Sequence, residues 1–337
     1  MKEVKIYLNE PYKKHNVKRH LLIILFFSLI LSSCGLIRKS LTKQTFNPIE
    51  YKTDKLSYSP IIWQNDSIGD SLVKKTSFCV PVKIKGIKQK VYMQFDLGSN
   101  ISMFYENALL SLHNKLVSKF DTIKGKIYLS NVDIGINNEI KLIADKLYVK
   151  REFGYNEFDS TFPIIGTLGY DIIGKSILIL DFKNNRYALT EKIPKKLSAK
   201  IEYIEGADLD KFPIILPFKL GEKKIRLMFD TGSSMFPILT GTKRLKKISK
   251  NNVIDSVGVI NSWGSNIPVY RPKEYKDGIG DLFIGNIDLG KINVYGIDKM
   301  NSLTYFGKYF FGITGNIIFE NAIIIIDRKD NKFGIIK

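Results

Sequence analysis

The sequence predicts an all-β fold built from two related halves. From residue 61 onward the apolar runs are short, rich in Ile, Val, Tyr and Phe, and separated by Gly, Asn and Asp, which is typical of strands joined by tight turns. Helical periodicity is scarce, with one candidate over residues 106–119 and single turns near Asp171 and Ile317. A segment repeated within the chain indicates that one unit has been duplicated.

Six segments carry the strand pattern. They are residues 124–129, 142–149, 176–181, 212–216, 292–297 and 322–327. The pairs Asn184-Asn185 and Asp330-Asn331 are typical of hairpin turns, because Asn and Asp accept turn conformations that most residues avoid. Cys79 lies in a further apolar run with no histidine beside it, so we interpret it as a core residue and not as a nucleophile.

The repeat is visible in two pairs of segments. Residues 166–190 align without a gap on residues 312–336, with eight identical pairs, where chance gives roughly one or two. Upstream, residues 91–99 contain Phe-Asp-Leu-Gly-Ser and residues 225–233 contain Phe-Asp-Thr-Gly-Ser. Each half therefore has the same order: an apolar strand, the Asp-x-Gly-Ser loop, a long insert, an apolar-x-Gly motif and a hairpin.

The N-terminus predicts a bacterial lipoprotein. Residues 1–33 have a basic start and an 11-residue apolar run, Leu21 to Leu31, which is too short to span a bilayer but suits a signal peptide. Leu-Ser-Ser-Cys-Gly follows and resembles a lipobox, so Cys34 is the expected lipidation site. The alternative is a buried strand or helix that ends in Cys by chance. Gly35, with no acidic run behind it, favours a lipid-anchored location in the cell envelope, at the outer membrane and facing the periplasm.

The rest of the chain divides into a tether and two lobes. Residues 34–60 show no clear period and are predicted to link the lipid to the folded part. The N-terminal lobe is predicted over residues 61–197 and the C-terminal lobe over residues 198–337. The boundary lies where Pro194 and a run of Lys interrupt the strand pattern.

The chain is strongly basic. It has 52 Lys and Arg against 33 Asp and Glu, a net charge of +19, and residues 1–33 hold six Lys or Arg against two Glu, so +15 remains after them. Such a charge favours acidic partners in general. The Lys residues are spread among Ile, Asn and Tyr, which favours solvated strand faces over one binding patch. No Arg/Gly-rich run or zinc-finger spacing indicates nucleic acid.

Several kinds of chemistry are excluded by what the sequence lacks. Of three histidines, His15 and His20 precede the predicted cleavage site, which leaves His113 in a polar stretch. Zinc hydrolases need two or three His or Cys ligands, and Ser-His-Asp or Cys-His systems need a histidine base. No P-loop and no Gly-x-Gly-x-x-Gly motif is present. We therefore expect no metal and no cofactor, and any catalysis must use carboxylates, hydroxyls or lysines.

The two Asp loops carry the functional hypothesis. A single Asp-x-Gly is an ordinary turn, but here two copies each follow an apolar strand and precede a Ser, with a further Gly 73 or 85 residues later. On these residues the sequence resembles the pepsin-like and retroviral-type aspartic peptidases. The resemblance covers about residues 78–336, and it is specific at loops 92–99 and 226–233 and at the apolar-Gly motifs 168–173 and 314–318.

The resemblance implies a bilobal pepsin-like (acid protease) double barrel with an active-site cleft between the lobes. Asp96 and Asp230 would share a proton and hydrolyse a peptide bond through an activated water. Supporting roles fall to the residues around them: Gly98 and Gly232 for the tight turns, Ser99 and Ser233 as hydrogen-bond donors to the carboxylate of their own loop, Thr231 as a brace across to the other lobe, and Gly169 and Gly315 in the apolar-Gly motifs.

One position departs from the family pattern, and the flap aromatic is not identified. Leu97 stands where Thr231 stands in the second half, so one half of the reciprocal brace is missing. Tyr128, Trp263 and Tyr270 are the flap candidates, although each also suits an ordinary strand. The main hypothesis is a monomeric aspartic endopeptidase that cuts peptides or proteins. The alternatives are an inactive lipoprotein of the same fold that binds peptides or acidic polymers, and a structural envelope protein of unrelated β-sandwich fold.

Overall fold

The computed structural model describes residues 50–51, 56–68, 71–112, 120–136, 140–154, 162–262, 265–301 and 310–337. They belong to one compact unit, Gln44–Lys337. The predicted signal peptide, Cys34, His113 and Trp263 lie outside the described residues. In these ranges no helix has the length and the apolar character needed to cross a membrane.

Strands dominate the described part of the chain. Up to residue 190 they are β1 (Glu50–Tyr51), β2 (Ser59–Pro60), β3 (Ile62–Ile68), β4 (Ser71–Ile84), β5 (Val91–Phe95), β6 (Met103–Tyr105), β7 (Phe120–Ile123), β8 (Lys126–Gly135), β9 (Ile140–Lys150), β10 (Ile164–Leu168), β11 (Ile177–Asp181) and β12 (Arg186–Thr190). After it they are β13 (Glu202–Tyr203), β14 (Ile215–Leu220), β15 (Lys223–Phe229), β16 (Ile238–Gly241), β17 (Ile254–Ser262), β18 (Ser265–Pro272), β19 (Asp281–Ile284), β20 (Ile287–Lys291), β21 (Val294–Ile297), β22 (Gly312–Thr314), β23 (Ile323–Asp327) and β24 (Lys332–Ile336). The all-β prediction is confirmed.

Helices in the described ranges are short. The α-helices are α1 (Glu106–Leu110), α2 (Lys195–Ser198) and α3 (Thr242–Ile248), and the 3-10 turns are Tyr170–Ile173, Phe182–Asn184, Thr231–Ser233, Lys250–Asn252 and Asn316–Phe319. The predicted turns near Asp171 and Ile317 are confirmed. The predicted helix over 106–119 is described only as α1, since residues 113–119 lie outside the described ranges. The strand predicted at 212–216 begins only at Ile215.

The two halves of the chain build matching nine-stranded sheets. In the first, the central order is β6-β10-β5-β4, and in the second it is β16-β22-β15-β14. The directions also match, because β10 and β22 run parallel to β5 and β15 and antiparallel to β6 and β16. The strand before each Asp loop is therefore central in its sheet and has the strand of the apolar-Gly motif as its parallel neighbour.

A six-stranded sheet joins the two halves, in the order β13-β24-β23-β11-β12-β2. Its two central strands come from the repeated segments and run antiparallel, with Ile179 directly opposite Ile325. These two residues occupy the same position of the sequence repeat. Ile177 faces Asp327 and Asp181 faces Ile323, so the pairing is the same when the halves are exchanged. The duplication is thus a two-fold relation in space, as in a symmetric dimer interface.

Equivalent aromatic clusters support the strands that lead to the Asp loops. Phe95, the last residue of β5, stacks on Phe78 at 5.2 Å and meets the edge of Tyr187 at 5.5 Å between ring centroids. Phe229, the last residue of β15, meets Phe333 at 6.0 Å in the same edge-on manner. All five side chains are fully buried. The Asp residue that follows each Phe therefore starts from a rigidly packed position.

The six-stranded sheet should contribute strongly to stability. Ile325→Ala deletes a fully buried side chain at the centre of that sheet and should lower the free energy of unfolding by about 2 to 5 kcal/mol. Ile123→Ala is the matched control, since Ile123 lies 40% exposed in β7, and it should cost much less. Urea denaturation of both variants measures this difference. Equal losses would contradict the central role of this sheet.

Candidate active site

The two aspartates leave their sheets at equivalent points. Asp96 directly follows β5 and Asp230 directly follows β15. The Asp96 N–H donates to the carbonyl of Leu168 at 2.9 Å, and the Asp230 N–H donates to that of Thr314 at 3.0 Å. Each bond continues the parallel pairing by one residue. The backbone of both aspartates is therefore fixed by the strand of the apolar-Gly motif.

The glycines of the apolar-Gly motifs pack against the backbone of the Asp loops. A Cβ atom on Gly169 would lie 2.6 Å from the carbonyl oxygen of Ile101, and one on Gly315 would overlap the backbone of Ser233. Tyr170, next to Gly169, donates its N–H to the carbonyl of Ser99 at 2.8 Å. Only glycine allows this approach of two backbones, so both predicted motif glycines lie where the loop needs them.

The two carboxyl groups face each other. A side-chain hydrogen bond joins Asp96 and Asp230, and the two residues are only 6% and 8% exposed. A Cβ atom on Gly98 would overlap the carboxyl of Asp230, and one on Gly232 would lie 2.6 Å from Cγ of Asp96. The carboxyl of each aspartate therefore packs directly against the glycine of the other loop. The chain brings together residues 134 positions apart that the repeat made equivalent.

Each loop also donates hydrogen bonds to its own aspartate. Gly98 N–H reaches Oδ1 of Asp96 at 2.8 Å, and Gly232 N–H reaches Oδ1 of Asp230 at 2.8 Å. Ser233 Oγ donates to Oδ2 of Asp230 at 2.9 Å, which is the role that the resemblance implied.

The prediction that the Ser99 hydroxyl donates to the carboxylate of Asp96 is wrong. Its hydroxyl donates to the carbonyl of Ile101 at 2.8 Å, and a hydroxyl has one proton to donate. Ser99 supports Asp96 through its backbone N–H instead. The first carboxyl therefore has no side-chain hydroxyl donor from its own Ser, unlike the second.

The pKa of Asp96 lies well above its ordinary value. Burial of the carboxyl is the main cause, and the negative charge of Asp230 and the hydrogen bond between the two groups add to it. The backbone N–H groups of Gly98 and Ser99 oppose the rise but do not cancel it. The pair therefore holds a proton at pH values where an isolated Asp is ionised.

Thr231 links the two loops. Its Oγ1 accepts a hydrogen bond from Leu97 N–H at 2.8 Å and donates one to the carbonyl of Phe95 at 2.9 Å. Thr231 is fully buried and lies in the opposite half of the repeat from both partners. Leu97 is also fully buried but has no hydroxyl to return. The brace is therefore present, but its hydroxyl comes from the second loop only.

A buried network that the sequence analysis did not identify holds the first loop. Gly169 N–H donates to Ser102 Oγ at 2.8 Å, and Ser102 Oγ donates to Oδ1 of Asp171 at 2.7 Å. The Ser102 N–H also donates to Asp171 at 2.9 Å. Burial raises the pKa of Asp171 to about 7, although the bonds from Ser102 act in the other direction. An acidic residue within the apolar run of 168–173 was the available signal.

The second loop is held by different residues. Asn316 Nδ2 donates to Ser234 Oγ at 2.6 Å, and Ser234 Oγ donates to the carbonyl of Thr231 at 2.7 Å. Asn316 stands in the repeat at the position of Tyr170, one residue before the position of Asp171. Both networks use a serine, but Ser102 and Ser234 stand at different positions of the repeat, which explains why the repeat did not reveal the networks.

The flap candidates are not placed at the dyad by any described contact. Tyr128 lies opposite Tyr148 in the β8–β9 pair, with the rings 5.9 Å apart. Tyr270 lies opposite Ser256 in the β17–β18 pair. Another tyrosine, the buried Tyr105, shares a 2.6 Å hydrogen bond between its hydroxyl and that of Thr167. Burial raises the pKa of Tyr105, and the charge of Asp96 contributes to the rise.

Other chemistry is limited in the described ranges. Cys79 is a free, fully buried thiol, and burial raises its pKa, so it lacks the character of a nucleophile. Within those ranges no three His, Cys, Asp or Glu side chains converge on a possible metal site.

Comparison with known proteins adds no assignment. No model of a protein family matches the sequence, and no curated protein matches it. The functional argument therefore rests on the geometry of the two Asp loops.

The Thr231 brace can be tested by replacing the hydroxyl of Thr231 with a methyl group. Thr231→Val keeps the shape of the side chain but leaves Leu97 N–H and the Phe95 carbonyl buried without a partner, which should lower the free energy of unfolding by about 1 to 3 kcal/mol. Thr231→Ser retains the hydroxyl and should cost less. Thr122→Val, on an exposed position of β7, is the control for the same chemical change. A Thr231→Val protein as stable as Thr231→Ser would contradict the brace.

Proposed function

We propose that the protein is an aspartic-type endopeptidase in which Asp96 and Asp230 activate a water molecule between them. The observation that carries this proposal is the buried, hydrogen-bonded pair of carboxyls on two duplicated loops. Two such groups cannot both ionise at this distance, so they share one proton. A pair with one proton and one negative charge holds an acid and a base at the same place.

The proposed mechanism uses both members of the pair. The ionised carboxylate takes a proton from the water, and the resulting hydroxide attacks the carbonyl carbon of the peptide bond. The protonated carboxyl, for which the raised pKa favours Asp96, donates its proton to the carbonyl oxygen. Transfer of a proton to the leaving nitrogen then breaks the C–N bond. This route needs neither a histidine nor a covalent intermediate.

The arrangement of the sheets supports a bilobal, pepsin-like double barrel as the framework of this site. The two nine-stranded sheets share one central topology and each presents one aspartate, while the six-stranded sheet joins them. We assign the lobes to residues 61–197 and 198–337, with an extended peptide or protein substrate bound between them. Ser233, Thr231 and the loop glycines keep the geometry that such a site requires.

We also propose that the enzyme is a monomer anchored by lipid. The predicted signal peptide, residues 1–33, and the lipobox ending at Cys34 support an anchor at the outer membrane, facing the periplasm. Residues 34–60 would then act as the tether. Mass spectrometry of the N-terminal peptide from cells tests this point, because it distinguishes diacylated Cys34 from an unmodified chain.

One observation favours a second candidate, a peptide-binding protein of the same fold without turnover. Leu97 leaves the brace between the loops without its reciprocal half. A dyad that moves apart by a small distance can lose catalysis and keep binding. The substitutions described next separate the two candidates.

Peptidase activity should depend on both aspartates. Asp96→Asn and Asp230→Asn each remove a titratable carboxyl from the pair and should lower kcat/KM on an unfolded protein substrate by roughly 1,000-fold or more. Asp255→Asn makes the same chemical change at an exposed position of β17 and should leave kcat/KM unchanged. Cleavage that persists in both dyad variants argues against the proposal. Peptide binding that both variants retain, with no turnover by the unaltered protein, identifies the binding candidate.

Activity and stability should both fall as the pH rises through the raised pKa of Asp96. The folded state binds this proton more tightly than the unfolded state, so its contribution to stability is full in acid and is lost at higher pH. Asp171, with its pKa raised to about 7, adds a loss of the same sign below neutrality. Asp96→Asn should therefore reduce the slope of unfolding free energy against pH without removing it. Denaturation and kcat/KM measured across the acidic range check this, and a slope of opposite sign would contradict it.

A further inference from the structure

A basic groove lies on the second half of the chain, apart from the dyad. Its volume is about 1030 Å³. The basic side chains that line it are Lys219, Lys223, Lys224, Arg226, Arg244 and Lys247. The sequence suggested that the lysines are spread over solvated strand faces. Here four lysines and two arginines line one concave surface.

The register of β14 and β15 explains the concentration. Leu216, Phe218 and Leu220 alternate into the core, so Lys219 points outward, and it lies directly opposite Lys224. Arg226 lies on the same face, opposite Pro217. Like charges directly opposite each other on a sheet are unfavourable. This hairpin therefore holds three cations together against their mutual repulsion.

The helix α3 brings further cations to the same groove. Arg244 and Lys247 are three residues apart, so they share one helix face. Arg244 Nη1 donates to the carbonyl of Phe311 at 2.8 Å, which fixes the guanidinium at the wall of the groove. Lys223 approaches the Phe311 ring at 5.4 Å, and Arg244 approaches it at 5.8 Å. The strands and the helix thus both contribute cations to the lining of this groove.

The three cations of the hairpin, Lys219, Lys224 and Arg226, are not neutralised by an ion pair within the described part of the chain. No ion pair there joins Lys219, Lys224 or Arg226 to a carboxylate, and Glu202 and Glu205 on the groove wall form none with them. Cations that stay unpaired in a concave site strengthen one another's field on an anion that enters it. A ligand with several negative charges would relieve the repulsion between them.

We propose that this groove binds a ligand carrying two or more phosphate groups. The planar fork of Arg226 suits the paired oxygens of a phosphate, and Lys219 and Lys224 supply compact charges at the distance of one strand pair. A groove of about 1030 Å³ is larger than one phosphate needs, and Tyr203 and Phe311 offer ring surface to the rest of the ligand. The phosphates can belong to a soluble molecule or to the headgroups of a lipid surface. The site is independent of the proposed peptidase function.

The test uses the full chain, purified in neutral detergent, with calorimetric titration of pyrophosphate and of inositol hexaphosphate. We expect saturable binding to one site, stronger for the hexaphosphate and weaker at high salt. The triple variant Lys219→Gln, Lys224→Gln, Arg226→Gln should weaken it by about tenfold or more, because each lost bond joined a charged donor to an anion.

The matched control removes the same net charge elsewhere. The variant Lys85→Gln, Lys88→Gln, Lys183→Gln changes three exposed lysines of the first half and should bind the probes as the unaltered protein does. Asp96→Asn should also bind them unchanged, which keeps this result separate from the peptidase test. Equal weakening by the two triple variants, or no saturable binding of either probe by the correctly folded protein, would overturn the proposal.

The two sources of phosphate are separated by vesicle flotation. The unaltered protein and the groove variant carry the same N-terminus, so any difference between them on phosphatidylglycerol vesicles, absent on phosphatidylcholine vesicles, reports the groove alone. Such a difference assigns the phosphates to a lipid surface. Equal flotation of the two proteins, together with groove-dependent binding of inositol hexaphosphate, assigns them to a soluble ligand.

Discussion

The structure is organised around two carboxyl groups that share a buried hydrogen bond. Burying two acids side by side is unfavourable unless one of them keeps its proton and both find donors. The raised pKa of Asp96 meets the first condition. Backbone N–H groups of Gly98 and Gly232, together with the hydroxyl of Ser233, meet the second. The fold therefore maintains a proton-sharing pair at a measurable cost in stability at higher pH.

Duplication is the simplest physical route to such a pair. In a two-fold arrangement, equivalent residues can touch only near the axis that relates the halves. Among the described residues, such self-equivalent contacts include Ile179 with Ile325 in the six-stranded sheet, and Asp96 with Asp230 and Leu97 with Thr231 in the site. The sheet contact is apolar and buried, so it supplies the packing energy that the site contact lacks. The two-fold axis that relates the halves thus passes near both the sheet contact, which stabilises the fold, and the aspartate pair of the candidate site.

The sequence predicted those parts of the fold and site that depend on local pattern or on the repeat. The all-β class, both hairpin turns and the positions of Gly169, Gly315, Thr231 and Ser233 agree with the structure. The partner of Ser99 was wrong, because a hydroxyl chooses among nearby acceptors by a rotation that sequence does not encode. The strand predicted from Phe212 begins later, at Ile215.

Features that arise only from tertiary packing could not be read from the sequence. The Ser102 and Asp171 network joins residues 69 positions apart, and its counterpart in the second half uses Ser234 and Asn316, which do not stand at the equivalent positions of the repeat. The basic groove depends on the meeting of a hairpin and a helix around Phe311. From the distribution of lysines along the sequence alone, we expected them on separate solvated strand faces. Register and helix periodicity are what concentrate them.

The differences between the halves bear directly on the proposed chemistry. A perfectly symmetric pair would give both carboxyls the same affinity for the shared proton. Here Asp230 accepts a bond from the Ser233 hydroxyl, whereas Ser99 turns its hydroxyl away from Asp96. Donors stabilise the charged form of a carboxylate, and Asp96, which lacks such a hydroxyl donor, is the carboxyl whose pKa is raised. Leu97 extends this asymmetry, because only the loop of Asp230 sends a hydroxyl across to the other half. The two copies of the duplicated unit thus differ in the hydroxyl groups around the two carboxyls, and these groups would help to give one carboxyl the role of acid and the other the role of base.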